Sequence, residues 1–330
     1  MSADTSPPYR PRGGEQSYMA PFRMTGAHFS GYVISASNGA LQAIVDRYLN
    51  APLADTVYRA LGDFVLFVDA PIDRLRSILP PDSEMGFNRE TDVGLWFLVG
   101  AGHREGDLWV LERLAWFIPY LWVDVPVNVI TGRETYGYPK QMGWFSRSGA
   151  SDGPLLTVET YVLPTFSPDT PLQKLPILTL ERQSNGLALV GQAFDDATDA
   201  IEALVKAIVG DDGTIIVPGI ELVVHLLRYI VNREMPLVFL KQFRDVVDPR
   251  RACYQAVLES PMHVTAFHGG GLYLGDFALE ITTYASHPIV ADLGLVGTPT
   301  VTGTRVPIDV AFQLHFDFET ELARLIEPRQ

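Results

Sequence analysis

The sequence predicts an α+β protein, one β-rich domain interrupted by a block of helices. Three observations carry this. From Val93 to Phe166, short apolar or alternating runs are separated by Gly, Asp and Pro, the pattern of a sheet that closes or folds over. From Asp195 to Val247 the apolar residues recur at helical spacing, and strand-like runs return after Cys253, so the helices look inserted between strands of one core. Across 330 residues, 47% are hydrophobic and 19% charged, which supplies a sizeable core and excludes wholesale disorder. There is no internal repeat. The expected division is an N-terminal arm and helix over 1–50 and a single domain over 51–330, with the helical insertion at about 195–247.

The elements follow in order. Ser6–Gln16 holds Pro7, Pro8, Pro11, Gly13 and Gly14 and reads as an extended arm. Asn38 is placed to cap a helix over Ala40–Leu49, with Leu41, Ile44, Val45 and Tyr48 on one face. Phe64–Asp69 is rich in β-formers and reads as a strand. Pro71 then starts a short helix, Ile72–Leu79, which Pro80 and Pro81 stop. Val93–Val99, Leu108–Leu114, Trp116–Val123, Val127–Thr131 and Leu155–Val162 read as strands. Phe194–Val209 reads as a helix, with Ala197, Ile201, Leu204, Val205 and Ile208 aligned. Ile220–Asn232 is a second helix and Leu240–Val246 a third. Cys253–Leu258, Leu272–Tyr284 and Val306–His315 are expected strands, and Glu319–Ile326 a terminal helix.

Charge narrows the function. Lys and Arg number 25 against 39 Asp and Glu, a formal charge of −14, which disfavours a phosphate backbone as partner. No basic run suits a membrane surface. Ile220–Val231, the most membrane-like stretch, is broken by Glu221, His225 and Arg228. The start, Met1 to Asp4, lacks the basic and apolar parts of a secretory signal, so a soluble cytoplasmic protein is expected. The single cysteine, Cys253, excludes an internal disulfide and reads as a small buried hydrophobe.

Several motifs lead nowhere. His268-Gly269-Gly270-Gly271 is similar to an esterase oxyanion loop, but no Gly-x-Ser-x-Gly elbow accompanies it, and a flexible hairpin connection is the better reading. Gly275 does not complete a dinucleotide fingerprint, and no phosphate-binding Gly-x-x-x-x-Gly-Lys-Ser/Thr loop occurs. None of the seven histidines pairs with another at i, i+4. Asp195-Asp196 and Asp211-Asp212 read as helix caps and loop charge. Neither a metal nor a cofactor is expected.

Gly132-Arg133-Glu134-Thr135-Tyr136-Gly137-Tyr138-Pro139-Lys140-Gln141-Met142-Gly143-Trp144 is different. Gly137 and Pro139, so close together, force a turn or bulge. Lys140 follows, one of only four lysines, the others being Lys174, Lys206 and Lys241. Tyr136, Tyr138, Met142, Trp144 and Phe145 surround it. Burial in such a wall disfavours an ammonium and lowers its pKa. A neutral amine attacks a carbonyl to give a Schiff base, and the protonated imine then accepts the electrons of an adjacent C–C bond. The same segment also fits a hairpin cap, with Arg133 and Glu134 solvated and Lys140 in a turn.

The run Gly-Arg-Glu-x-x-Gly-Tyr-Pro-Lys resembles the signature of the acetoacetate decarboxylases and their wider superfamily. Asp73-Arg74-Leu75-Arg76-Ser77-Ile78-Leu79-Pro80 is similar to the family's first short helix, and Cys253–Leu258 and Phe277–Thr283 to its late strands. The likeness covers roughly 60–170 and 250–316. It implies a cone-like antiparallel β-barrel with surrounding helices, assembled as a homo-oligomer, and it matches Lys140 to the Schiff-base lysine.

The departures matter as much. The family's second lysine, whose charge lowers the pKa of the first, is Gln141 here. The family's substrate arginine is nearest to Arg59, with a shift of about two residues. A glutamate expected on the strand after the first helix has no counterpart in Leu95-Trp96-Phe97-Leu98, and a further one is either Glu105 or Glu112. Trp96, Phe97, Trp116, Phe117 and Tyr120 suggest a larger, more apolar substrate. The leading expectation is a Schiff-base lyase acting on a keto acid or ketone through Lys140, by decarboxylation or aldol and dehydration chemistry, and inefficient with acetoacetate. Gln141, Arg59, Glu105, Glu112, Arg133, Glu134 and Tyr138 are its candidate pocket residues. A non-catalytic barrel binding an apolar or ketone-like ligand is the second reading, and an esterase using the His268 loop the third.

Overall fold

The computed structural model describes residues 8–11, 17–148, 154–182, 190–194, 235–273 and 275–326. The helices expected over Phe194–Val209 and Ile220–Asn232 lie outside these residues, Phe194 apart. Among the described residues strands dominate. In order they are β1 (Phe22–Ser35), β2 (Val57–Ser77), β3 (Asn88–Glu105), β4 (Leu108–Val123), β5 (Lys140–Arg147), β6 (Pro154–Val162), β7 (Gln173–Arg182), β8 (Val190–Phe194), β9 (Met235–Arg244), β10 (Ala252–Tyr273), β11 (Phe277–Thr282), β12 (Thr298–Pro299), β13 (Gly303–Pro307), β14 (Val310–Thr320) and β15 (Arg324–Ile326). The helices are α1 (Asn38–Val45), α2 (Pro126–Thr135) and α3 (Ile289–Leu293).

Seven strands close on themselves in the order β4-β3-β2-β1-β14-β10-β9. The last step is a short parallel pairing of β9 with β4, Trp116 beside Leu237 and Phe117 beside Val238. A second sheet, β5-β6-β7-β11-β13-β12, joins the ring where Leu121, Trp122 and Val123 of β4 run parallel to Lys140, Gln141 and Met142. Strand alternation divides the apolar residues into two cores. Leu66, Val68, Leu98, Trp116, Ile118, Leu121, Leu237, Phe312 and Phe316 form one, inside the ring. Val65, Phe67, Leu95, Phe97, Phe117, Tyr120 and Trp122 point the other way, joining Val158, Leu178, Leu279, Leu41 and Leu293 between ring, second sheet and helices. Burial on both faces explains why these strands read as apolar runs.

The early helix is found, as α1 followed by a π-type turn over Asp46–Asn50. Leu41, Ile44, Val45 and Leu49 are buried, while Tyr48 is exposed. Asn38 is not its cap. Ser37 holds that position, and the Asn38 amide donates to the carbonyls of Ala60 and Gly62.

Other expectations are corrected. Ile72–Leu79 is not a helix: β2 runs on to Ser77. A register shift between Ile72 and Leu75 places both on the buried face three residues apart, which imitates helical spacing. Val127–Thr131 is not a strand but half of α2, with Pro126 in its first turn and Asn128, Thr131 and Gly132, none of them large or apolar, as its buried face. Leu240–Val246 belongs to β9 and a loop, and Glu319–Ile326 to the end of β14, a turn and β15. From Met235 on, the span expected to be helical is therefore strand and loop. Residues 22–35, read with the arm, are β1, between β2 and β14. His268–Gly271 is not a flexible connection but lies within β10, paired with β14. Cys253 is exposed. No described helix is long and apolar enough to cross a membrane.

Candidate active site

The site sits at one end of the ring interior, where β3, α2 and β5 meet. Gly137 makes the turn that leads from α2 into β5. Its φ of 79° suits glycine, and a Cβ there would stand 2.6 Å from the Lys241 backbone. Lys140 is the first residue of β5 and faces Glu90 and Asp92 on β3, two residues apart and so on one face. Its side chain passes over Gly132, where a Cβ would come within 2.8 Å of Lys140 Cδ.

Lys140 is 5% exposed. Nζ donates to Glu90 Oε2 at 3.1 Å and lies 3.4 Å from Asp92 Oδ1. Nζ also stands 5.7 Å from the centre of the Tyr138 ring, which stacks on Tyr136 at 5.0 Å. Arg133 Nη1 donates to the Lys140 carbonyl at 3.3 Å.

Burial works to lower the Lys140 pKa, but the charges of Asp92 and Glu90 overcome it, and the balance lies above an ordinary lysine. The expectation of an amine depressed by burial is thus corrected: two carboxylates hold the resting ammonium. Burial first, and then the charge of Glu90, raise Asp92 to about 7 against the opposing pull of Lys140. Asp92 Oδ1 accepts no hydrogen bond. Asp92 therefore changes protonation state near neutrality beside the amine, as an acid–base partner requires.

The three groups open onto a cavity of about 90 Å³ whose walls include Phe22, Met24, Ile72, Ile118, Leu237 and Phe316. Since about 10–15 Å³ in this measure admits one water, the space suits a small organic molecule. Trp96 Nε1 is buried in this wall without a hydrogen-bond partner. On the other side of Tyr138 lies an outer cleft of about 460 Å³.

The expected pocket residues divide. Tyr138 lines the cavity. Arg133 and Glu134 line the outer cleft instead, exposed. Gln141 alternates away from Lys140, and its Oε1 accepts from His287 Nε2 at 2.9 Å, His287 being bonded to Ser286 through Nδ1. Arg59 is exposed, stacked over Trp109. Glu105 and Glu112 bracket the exposed His103. These last three are not in the cavity. Of the expected aromatic wall only Trp96 lines it; Phe97, Phe117 and Tyr120 pack in the opposite core, and Trp116 packs behind Trp96. Glu90 and Asp92 escaped the sequence reading, because the carboxylate expected on this strand was sought at Leu95–Leu98, five residues too late. No cluster of three or more His, Cys, Asp or Glu among the described residues is placed to hold a metal.

No family model matches the chain, and no curated protein sequence matches it. Solved structures do. Acetoacetate decarboxylase from Legionella pneumophila is 14% identical, with a TM-score of 0.57 over 99% of this chain and 94% of that one. An acetoacetate decarboxylase-like enzyme from Sphingomonas wittichii RW1 is 11% identical, with a TM-score of 0.53 over 94% of each chain. The enduracididine biosynthesis enzyme MppR, complexed with the condensation product of pyruvate and imidazole 4-carboxaldehyde, is 12% identical, with a TM-score of 0.52 over 94% of this chain and 91% of that one. The chain has the acetoacetate decarboxylase-like fold, in a divergent form.

Proposed function

From that shared fold and this site, we propose that the protein is a Schiff-base-forming lyase acting on a small keto acid or ketone. Lys140 is the nucleophile. One observation carries the reading: a lysine 5% exposed, ion-paired to two carboxyl groups, at the end of an apolar cavity. The neutral amine adds to the substrate carbonyl, and the carbinolamine loses water to an iminium. Asp92 relays the protons these steps need, and Glu90 stays as the iminium's counter-ion. The iminium then takes up electrons from a neighbouring C–C or C–H bond, so decarboxylation, aldol and dehydration chemistry all lie within reach. Solved structures of the same fold support this class of chemistry, since they include a decarboxylase and an enzyme holding a pyruvate condensation product. The cavity supports inefficient turnover of acetoacetate, because its described walls hold no arginine or second lysine for the carboxylate.

The test is reduction with borohydride in the presence of keto acids and ketones, followed by peptide mass spectrometry. The adduct is expected on Lys140, with Lys174, Lys206 and Lys241 unmodified. Lys140→Arg should form none, because a guanidinium stays protonated. A non-catalytic binder would give no adduct in any protein. Assembly as a homo-oligomer in the cytoplasm completes the proposal, and light scattering of the purified protein tests the first part.

A further inference from the structure

On β3, Glu90, Asp92, Gly94 and Trp96 alternate onto the face turned toward Lys140. A Cβ at Gly94 would stand 3.0 Å from Trp96 Nε1, so the glycine leaves room for the indole beside it. Trp96 Nε1 has no hydrogen-bond partner, and neither has Asp92 Oδ1. Other polar walls are committed. The Asn128 amide exchanges two bonds with Asn88, the Tyr136 hydroxyl donates to the Glu321 carbonyl, and the Tyr138 hydroxyl reaches Ser260. Trp96 Nε1 is enclosed away from the open space, so the Asp92 carboxyl, 3.4 Å from Lys140 Nζ, is the acid–base group the cavity offers beside the amine.

Its charge is also committed. Lys140, the cation among the described lining residues, is matched by Glu90 at 3.1 Å. A carboxylate on a substrate joined to Nζ would be buried near Glu90 with no cation of its own among the described lining residues. At an effective dielectric of about 20, a like-charge contact at about 5 Å disfavours the anion on the order of 100-fold. An uncharged oxygen meets no such cost and finds the Asp92 carboxyl as its proton acceptor.

Resting on Lys140 as the Schiff-base lysine, we infer that the cavity is built for an uncharged β-hydroxyketone, or the ketone and aldehyde that combine to form it, with Asp92 carrying the proton of the second oxygen. The steps balance without a further reactant. The Lys140 amine condenses with the ketone carbonyl and releases water. Asp92 carboxylate takes the β-hydroxyl proton. The C–C bond between the α and β carbons breaks, its electron pair passing to the iminium to leave an enamine, while the β carbon departs as an aldehyde or ketone. The Asp92 carboxylic acid returns its proton to the enamine carbon, and water hydrolyses the resulting iminium to free ketone and Lys140. The aldol direction reverses each step.

Diacetone alcohol, an uncharged β-hydroxyketone that cleaves to two molecules of acetone, serves as the probe beside acetoacetate and pyruvate. Two readouts are taken at equal concentrations: borohydride-trapped label on Lys140, and acetone release. The expected result is labelling by diacetone alcohol about 100-fold faster than by either keto acid, with acetone released. Asp92→Asn should slow the label and suppress the release much further, so that the acetone released per labelled Lys140 falls. Glu90→Gln should narrow the gap between the two substrate classes. Keto acids that label Lys140 as fast as diacetone alcohol would overturn this inference and leave the Schiff-base reading standing. Label without acetone release in the wild type, or release undiminished in Asp92→Asn, would overturn the cleavage and the role of Asp92. No label on Lys140 from any probe would overturn the Schiff-base reading and the inference with it.

Discussion

Replacing Asp92 by asparagine should make the protein more stable at alkaline pH and leave it nearly unchanged in acid. Burial and Glu90 raise the folded carboxyl from its ordinary 3.8 to about 7. Folding therefore favours the protonated acid. The stability this brings is fully present below the unfolded pKa and is lost as pH rises through about 7. A gap of about three pH units at 1.36 kcal/mol per unit is about 4 kcal/mol. Asparagine has the same shape and does not titrate, so the variant escapes that loss. Between pH 4 and pH 8 the stability difference between variant and wild type should move by about 4 kcal/mol in the variant's favour. Urea unfolding of both proteins at unit pH steps measures it, and the pairwise difference cancels the other titrating groups. Parallel curves would refute the placement of Asp92 in a dry site beside a second carboxylate.

Further outcomes follow from the same geometry. Gly132→Ala should hold or raise stability, since alanine suits helix α2 better by up to about 1 kcal/mol, yet slow borohydride trapping severalfold by pushing the Lys140 stem off its line over Gly132; thermal melts and trapping rates check the two halves. Gly137→Ala should cost several kcal/mol, because its positive φ and the Lys241 backbone leave no room, as urea unfolding would show. Trapping on Lys140 should quicken as pH rises from neutrality, since Asp92 and Glu90 hold the ammonium above an ordinary lysine's pKa; a rate flat from pH 7 to 10 would contradict that hold. Glu105→Gln and Glu112→Gln should leave trapping unchanged, as both sit on the surface around His103.

The turn that precedes Lys140 was more legible than many of the elements around it. Gly137, Pro139 and Lys140 announce a turn that delivers an amine, and they do so because backbone constraint and a rare residue type are local properties. The carboxyl partners are not local: Glu90 and Asp92 lie fifty and forty-eight residues earlier in the chain, and only the pairing of β3 with β4 and of β4 with β5 brings them to Nζ. Reading Lys140 by burial alone therefore gave the wrong sign for its pKa. Helices α1 and α2 show the other limit. The apolar stripe of α1 faces a core and is visible, whereas α2 turns Asn128, Thr131 and Gly132 inward and leaves no apolar period to detect. At Ile72 and Leu75 a bulge shifted the strand period to three. Trp96 and Phe97 could not be separated by composition; adjacent on one strand, one faces the cavity and the other the opposite core.

The central claim is a covalent bond between Lys140 and a carbonyl carbon, and carbon-13 NMR sees it without reduction. The protein is mixed with acetone labelled at its carbonyl carbon, in wild-type form and as Lys140→Arg. The account predicts a protein-bound iminium resonance in the wild type that is absent from Lys140→Arg. A wild-type spectrum with free acetone alone, or an iminium signal that survives Lys140→Arg, would contradict it.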